Sequence, residues 1–234
     1  MILFIQLLLA HLLADFVLQP DSWVEEKQLK KHRSPKFYLH VLLHGLLSLV
    51  MVAEWAFWPY AIAIVISHFL IDWAKLAFQK DPNQKSWFFI DQLLHLGILL
   101  LVTRAYSKVG LDLSFFDHDQ WLGLITSIVF LSLPASVLIR ILISGWTPKT
   151  EDTPKESLQN AGKYIGILER LFIFVFILTD HWEGIGFLLA AKSIFRFGDL
   201  KESKERKLTE YVMIGTLLSF GLAILAGILV SPLY

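Results

Sequence analysis

Residues 57–79 read FWPYAIAIVISHFLIDWAKLAFQ, an apolar run whose only charged residues are Asp72 and Lys75. A bilayer core of about 30 Å takes roughly 20 apolar residues per helix, which is the length of this run. In hydrocarbon the backbone amides must bond within their own segment, so a run of this kind spans as a helix. His68 and Asp72 stand four apart and therefore share one face of it. Ionisable groups on a membrane helix are expensive; they face a bundle interior or a wet cavity, and there they mark a functional site.

The same spacing recurs on either side of this run. His11 and Asp15, His40 and His44, and Asp91 and His95 are each four apart, on the neighbouring apolar segments. Continuing outward, apolar segments lie at about 1–19, 37–55, 57–79, 87–106, 121–146, 161–180, 182–197 and 208–232. The sequence therefore predicts an all-α polytopic transmembrane helical bundle with about eight membrane segments. Its composition agrees: 55% hydrophobic and 18% charged residues, with a mean hydropathy of +0.57, exclude an ordinary soluble domain. A net charge of +0 gives no basis for a nucleic-acid partner. The absence of cysteine removes disulfides and thiolate ligands, leaving His, Asp and Glu for any metal. The first segment lacks a basic leader and a small-residue cleavage site, and reads as a retained span.

Between the segments, residues 21–36, DSWVEEKQLKKHRSPK, form an amphipathic surface stretch or loop. Trp55, Trp58, Pro59 and Tyr60 mark an interfacial turn with aromatics at headgroup level. Gly110 to Gln120, with Asp112, Asp117 and Asp119, is an acidic loop. Thr147 to Gln159, with Pro148 and Pro154, is the best linker between two halves, taken as residues 1–110 and 111–234. The seventh segment is short enough to be tilted, re-entrant or hairpinned to the sixth.

Of the 21 Lys and Arg residues, 16 fall on one side if the first loop is cytoplasmic, while Arg104 and Lys108 fall on the other. The positive-inside bias thus places both termini outside the cytoplasm. This topology sorts the paired residues. The first and third segments run inward and read His then Asp; the fourth runs outward and reads Asp then His. Asp15, His40, Asp72 and Asp91 form a layer near the cytoplasmic rim. His11, His44, His68 and His95 lie one turn deeper, about 6 Å at the helical rise.

Imidazole and carboxylate suit zinc, manganese or iron, and facing i,i+4 pairs build metal sites in bundle cores. Eight candidate groups exceed the four of a structural zinc, so two ions, or one ion with supporting carboxylates, fit the set. A metal with an open position generates hydroxide near neutral pH, which makes hydrolysis the simplest chemistry, with Asp15, Asp72 or Asp91 as acid/base groups. A hydrogen-bonded His-Asp network without metal and a proton or cation path are the other readings of the same residues. His32, His118 and His181 fall in loops or at helix ends and receive no role.

In the second half Arg140, Glu169, Arg170 and Lys192 are embedded in apolar segments, while Arg196 and Glu210 lie near segment ends. Arg140, Arg170, Lys192 and Arg196 would make a cationic pocket for a phosphate or carboxylate head group, with Glu169 beside it. Internal ion pairing and snorkelling is the structural alternative. Gly162 and Gly166 form a small-xxx-small step of the kind that permits close helix packing.

HLLADFVLQ, LHVLLH, SHFLIDWAK and DQLLH, followed by GKYIGILER, AAKSIFRF and EYVMIGTLLSF, resemble the bacterial membrane proteins grouped as domain of unknown function 3307. That resemblance spans nearly the whole chain and implies a multi-pass protein of the bacterial cytoplasmic (inner) membrane. The His and Asp pairs also resemble, in residue type and placement, the inner-membrane metal-dependent hydrolases. The leading expectation is a metal-dependent hydrolase acting on an anionic, lipid-like or membrane-proximal substrate, with membrane lipids as partners. A proton or divalent-cation transporter and a non-catalytic membrane scaffold are the alternatives.

Overall fold

The computed structural model describes residues 2–107, 120–147, 156–197 and 203–231, and among these every regular element is helical. The helices are α1 (Ile2–Leu12), α2 (Asp21–Lys30), α3 (Pro35–Val52), α4 (Trp58–Phe78), α5 (Gln84–Ser107), α6 (Gln120–Leu131), α7 (Leu133–Ile143), α8 (Glu156–Leu178), α9 (Trp182–Phe197) and α10 (Ser203–Val230). Four stretches are long and apolar enough to cross a membrane: Pro35–Val52, Trp55–Phe78, Gln84–Ser107 and Thr209–Val230. Two bent pairs raise the number to six if each is one span: Ile2–Val17 with Asp21–Arg33 at 79°, and Trp121–Leu131 with Leu133–Trp146 at 41°. The acidic stretch from Gly110 and most of the Pro148–Pro154 linker lie outside the described residues.

The chain divides into two compact units, Met1–Thr126 and Ser127–Tyr234. In the first, α1 packs on α3, α3 on α4, α4 on α5, and α5 back on α1, which closes a four-helix ring. The entry to α3 is set locally: Ser34 accepts a hydrogen bond from the Lys36 amide at 3.2 Å, and Pro35, which has no amide hydrogen to satisfy, occupies the first turn. Its exit is a left-handed residue, Ala53 at φ 56°, which turns the chain toward Trp55–Phe57 and into α4. Gly45 lets α3 and α4 approach; a Cβ there would lie 2.4 Å from the Val65 Cγ2. This close approach brings His40 and His44 alongside His68.

The ring is polar at one end and apolar at the other. Leu7, Val52, Phe57, Ala61, Ile64, Leu99 and Val102 form a buried cluster at the end away from α2. Tyr60 and Tyr106 pack against Phe57 there, and the Tyr106 hydroxyl donates to the Glu54 carboxylate. Thr103 donates to its own helix, to the Leu99 carbonyl at 2.8 Å.

In the second unit, α7, α8 and α10 pack on one another and α9 packs on α8. The fifth apolar segment, expected as one run over 121–146, is interrupted at Ser132, whose ψ of −103° ends α6; α7 restarts with Pro134 in its first turn. The Gly162 and Gly166 step does not mediate close packing. A Cβ on Gly162 would meet nothing within 4 Å, and one on Gly166 only the Arg170 Nη1 at 3.4 Å. The close approach of α8 and α10 falls instead at Gly227, where a Cβ would lie 2.7 Å from Ile177.

Candidate metal centre

The eight paired residues, His11, Asp15, His40, His44, His68, Asp72, Asp91 and His95, come together at the α2 end of the four-helix ring. Helix α1 carries His11 in its last turn and passes into a single π-helical turn, Leu13–Val17, which holds Asp15. Such turns widen the helix by one residue and often occur at functional sites. Here the wider turn aims Asp15 across at α3: its Oδ1 lies 2.9 Å from the His44 Nε2 and 3.3 Å from the His40 Nε2, while its Oδ2 is 3.6 Å from the His11 Nε2. Asp72 occupies the corresponding place on the opposite side. It stands 3.6 Å from His40, 3.7 Å from His68 and 3.8 Å from His95.

The deeper histidines touch one another. The His68 ring is sandwiched between those of His44 and His95, with centroids 3.6 Å and 4.0 Å away, and His11 lies 5.3 Å from both His44 and His95. A small cavity opens on this side, lined by His11, His44, His68 and His95 with Ser48 and Ser67. The His40 and His68 Nε2 atoms face each other at 3.2 Å. In that contact one nitrogen donates and the other accepts, or both direct lone pairs at a common ion.

Two observations test whether the donors fit a metal. Ligands at 2.0–2.1 Å on a tetrahedral ion are about 3.3 Å apart, and the His40–His68 and His40–Asp15 separations of 3.2 and 3.3 Å match that spacing. Donor atoms of Asp15, His40, His44 and His68 all lie within 4.8 Å of one another; His11, His68 and His95 make a second such group, and Asp72, Asp91 and His95 a third. The second observation is a deficit of partners. The His40 Nδ1, both ring nitrogens of His95 and the Asp91 Oδ1 are buried with no hydrogen-bond partner. Buried polar atoms left so are costly, and an ion among Asp72, Asp91 and His95 would answer the Asp91 Oδ1 and one His95 nitrogen. These groups could hold a metal ion.

Three residues of the cluster escaped the sequence reading. Gln92 bridges it: its side-chain amide donates to the Asp15 Oδ2 at 3.0 Å and to the Asp91 Oδ2 at 3.1 Å, and its Oε1 lies 3.3 Å from the His11 Nε2. Lys75 donates to the Asp91 Oδ2 at 2.8 Å. Lys27, buried on α2, lies 3.6 Å from the Asp72 Oδ2 and donates to Gln19 at 2.9 Å. Lys75 follows Asp72 by one turn, a signal that i,i+3 spacing carries; Lys27 is one of five Lys and Arg between residues 27 and 36, and nothing local sets it apart. Outside the spanning helices, Glu26 anchors α2 to the start of α3. The Ser34 hydroxyl donates to it at 3.0 Å and holds its carboxyl below the usual glutamate range, and Lys30 adds to the effect.

Among the described residues, Arg140, Arg170 and Lys192 share no contact with one another. Arg170 spends its donors on the protein: Nε on the Leu131 carbonyl at 2.6 Å, Nη1 on the Ser219 hydroxyl at 3.1 Å, and Nη2 on the Ser132 carbonyl at 3.0 Å and the Ser136 hydroxyl at 2.5 Å. Lys192 pairs with Glu169 at 2.6 Å. Arg140 is exposed on α7, and the Arg196 side chain lies outside the described residues. Arginine binds what the broken helix frees, a use of its five donors that charge alone did not suggest.

A family model described as Protein of unknown function (DUF3307) matches residues 3–141. GKYIGILER, AAKSIFRF and EYVMIGTLLSF fall beyond the matched region. No curated protein and no solved structure matches the chain, so the hydrolase likeness stands on residue type and placement alone.

Proposed function

The chain belongs to the DUF3307 family of proteins of unknown function, and from its first four-helix ring we propose that it is a membrane-embedded, metal-dependent hydrolase acting on an anionic, lipid-like or membrane-proximal substrate. In this reading the eight apolar segments cross the bacterial cytoplasmic membrane with both termini outside, and the α2 end of the ring faces the cytoplasm. The internal Glu169–Lys192 pair and the buried Arg170, with four of its five N–H donors bonded inside the protein, support a membrane position for α8, because neither leaves a bare charge to lipid.

The observation that carries the proposal is the pair of buried neighbours left without partners, His95 with both ring nitrogens open and Asp91 with Oδ1 open, inside a cluster of five imidazoles and three carboxylates. His40, His44, His68 and Asp15 hold one ion; His11, His95, Asp72 and Asp91 complete a second site or support the first. Zinc, manganese or iron, when bound, supplies a water acidified toward neutral pH. Gln92 orients Asp15 and Asp91 by donating to one oxygen of each. The second oxygen of Asp91, Oδ1, is the atom placed to take a proton from that water, since Lys75 and Gln92 both engage Oδ2. A hydrogen-bonded scaffold is less well supported, because a network selected for packing satisfies its members. A through-path is less well supported as well, because Leu7, Ile64, Leu99 and Val102 close the ring beyond the histidines.

Elemental analysis of the full chain, purified without chelators, tests the reading. It should find about one or two transition-metal ions per chain, the number a His-Asp cluster of this size accommodates, and His68→Ala, which removes a donor common to two groups, should lower it. Folded protein that carries no ion and takes up none of zinc, manganese or iron would overturn it.

A further inference from the structure

Lys27 and Lys75 flank the cluster on its α2 side. Lys27 reaches Asp72 from α2, and Lys75 reaches Asp91 from the last turn of α4. Neither lies at the surface: Lys27 is 7% exposed, and the Lys75 side chain 27%. Withdrawing an ammonium from water is expensive and is repaid only while it keeps a partner.

Charge balance gives the two lysines a second task. With neutral imidazoles, Asp15, Asp72 and Asp91 outnumber the two ammoniums by one charge. One divalent ion turns that deficit into a single positive excess, and two ions turn it into a triple one. The lysines hold one oxygen of each carboxylate, Asp72 Oδ2 and Asp91 Oδ2, and leave the other, Asp72 Oδ1 beside His68 and His95 and the unpartnered Asp91 Oδ1, to the ions. A loaded centre is therefore cationic, with the three carboxylates shared between the ions and the two ammoniums, a condition that an entering anion relieves. The cavity on the deep side is bounded by Leu7, Ile64, Ile98 and Leu99, so the two ammoniums, and not that cavity, are where an anion meets opposite charge. Both rim cations are lysines, which bind phosphate as point charges with three donors each and suit an oxyanion with several equivalent oxygens.

We infer that Lys27 and Lys75 form a phosphate-receiving rim on the metal centre, so that the substrate is a phosphate ester whose phosphoryl group sits between the two ammoniums and the ions. The inference rests on the metal reading and specifies its substrate class. The phosphate comes either from a lipid head group or from a soluble ester, and the rim chemistry is the same for both.

The test uses the full chain in nanodiscs of phosphatidylcholine, loaded with zinc, and reads zinc content and binding of inorganic phosphate side by side. The wild type should bind phosphate only when loaded. Lys27→Gln and Lys75→Gln should each weaken it about tenfold, the range of one charge-assisted hydrogen bond, while zinc content stays at the wild-type level or rises. Lys75→Arg, which keeps the charge, should retain most of the binding. Unchanged phosphate affinity in both Gln variants at full zinc content would overturn the inference and leave the metal centre standing: the lysines would then be counter-ions only. Failure of the wild type to take up zinc, manganese or iron would overturn the metal reading itself. Replacing part of the phosphatidylcholine with phosphatidic acid separates the sources: competition with inorganic phosphate assigns the site to a lipid phosphate, and its absence, with phosphate still bound, to a soluble ester.

Discussion

Arg170 and His95 are both buried polar side chains on apolar helices, yet they meet opposite fates. Four partners, two carbonyls at the α6–α7 break and two serine hydroxyls, take four of the five N–H donors that Arg170 offers. Both ring nitrogens of His95 lie buried without a hydrogen bond. A buried polar group that is fully answered by its own chain is architecture: it holds a broken helix in register and asks for nothing further. One that is left unanswered has been kept at a cost, and the cost points to a ligand. The same contrast runs through the first unit, whose apolar end is packed on itself while its His-Asp layer keeps buried atoms without partners.

Breaking the answered side should produce the largest effect. Arg170→Leu strands the Leu131 and Ser132 carbonyls and should cost about 3 kcal/mol or more, a fall of on the order of 10 °C in melting temperature, whether or not metal is present. Thermal unfolding in detergent with and without zinc reads this directly; a loss that appears only with zinc would place Arg170 in the metal centre instead.

The unanswered side should respond in the reverse way. His95→Leu removes two orphaned nitrogens, so metal-free protein should keep its stability or gain about 1 kcal/mol. The added stability from zinc, about 2.7 kcal/mol at a hundred times its Kd, should shrink in the variant as the affinity falls. Loss of stability in the metal-free variant, with the zinc response intact, would make His95 architectural and erase the contrast.

The smallest effect lies between Glu26 and Ser34, apart from the four long apolar helices. Because Glu26 titrates below its ordinary value of 4.5, the tie between α2 and Ser34 is fully present above that range and is lost as pH falls through the lowered value. Ser34→Ala removes this acid sensitivity along with the α3 cap, at about 1 kcal/mol. Limited proteolysis of the 21–36 stretch as a function of pH should show the difference, with wild type opening on acidification and the variant open throughout.

Much of the ring can be read from letters alone, since helical period is a local property. The i,i+4 spacing of His68 and Asp72, repeated on three neighbouring segments and reversed with chain direction, locates a shared layer before any packing is known. The apolar lengths likewise mark the helices of the first unit, with Pro35 and Ser34 punctuating α3. The break at Ser132 was less legible: Pro134 marks it only weakly, because proline is equally at home in a first turn.

By itself, then, the sequence determined which faces of which helices carry imidazole and carboxylate, because 3.6 residues per turn leaves no freedom in that. Tertiary structure alone decided who answers them. Gln92, Lys27 and Lys75 joined the cluster, Arg170 left the expected pocket for two backbone carbonyls, and Asp15 was re-aimed by a π-helical turn. Partnership between residues tens of positions apart depends on how closely helices approach, as Gly45 permits against Val65, and separation in the chain does not encode that distance.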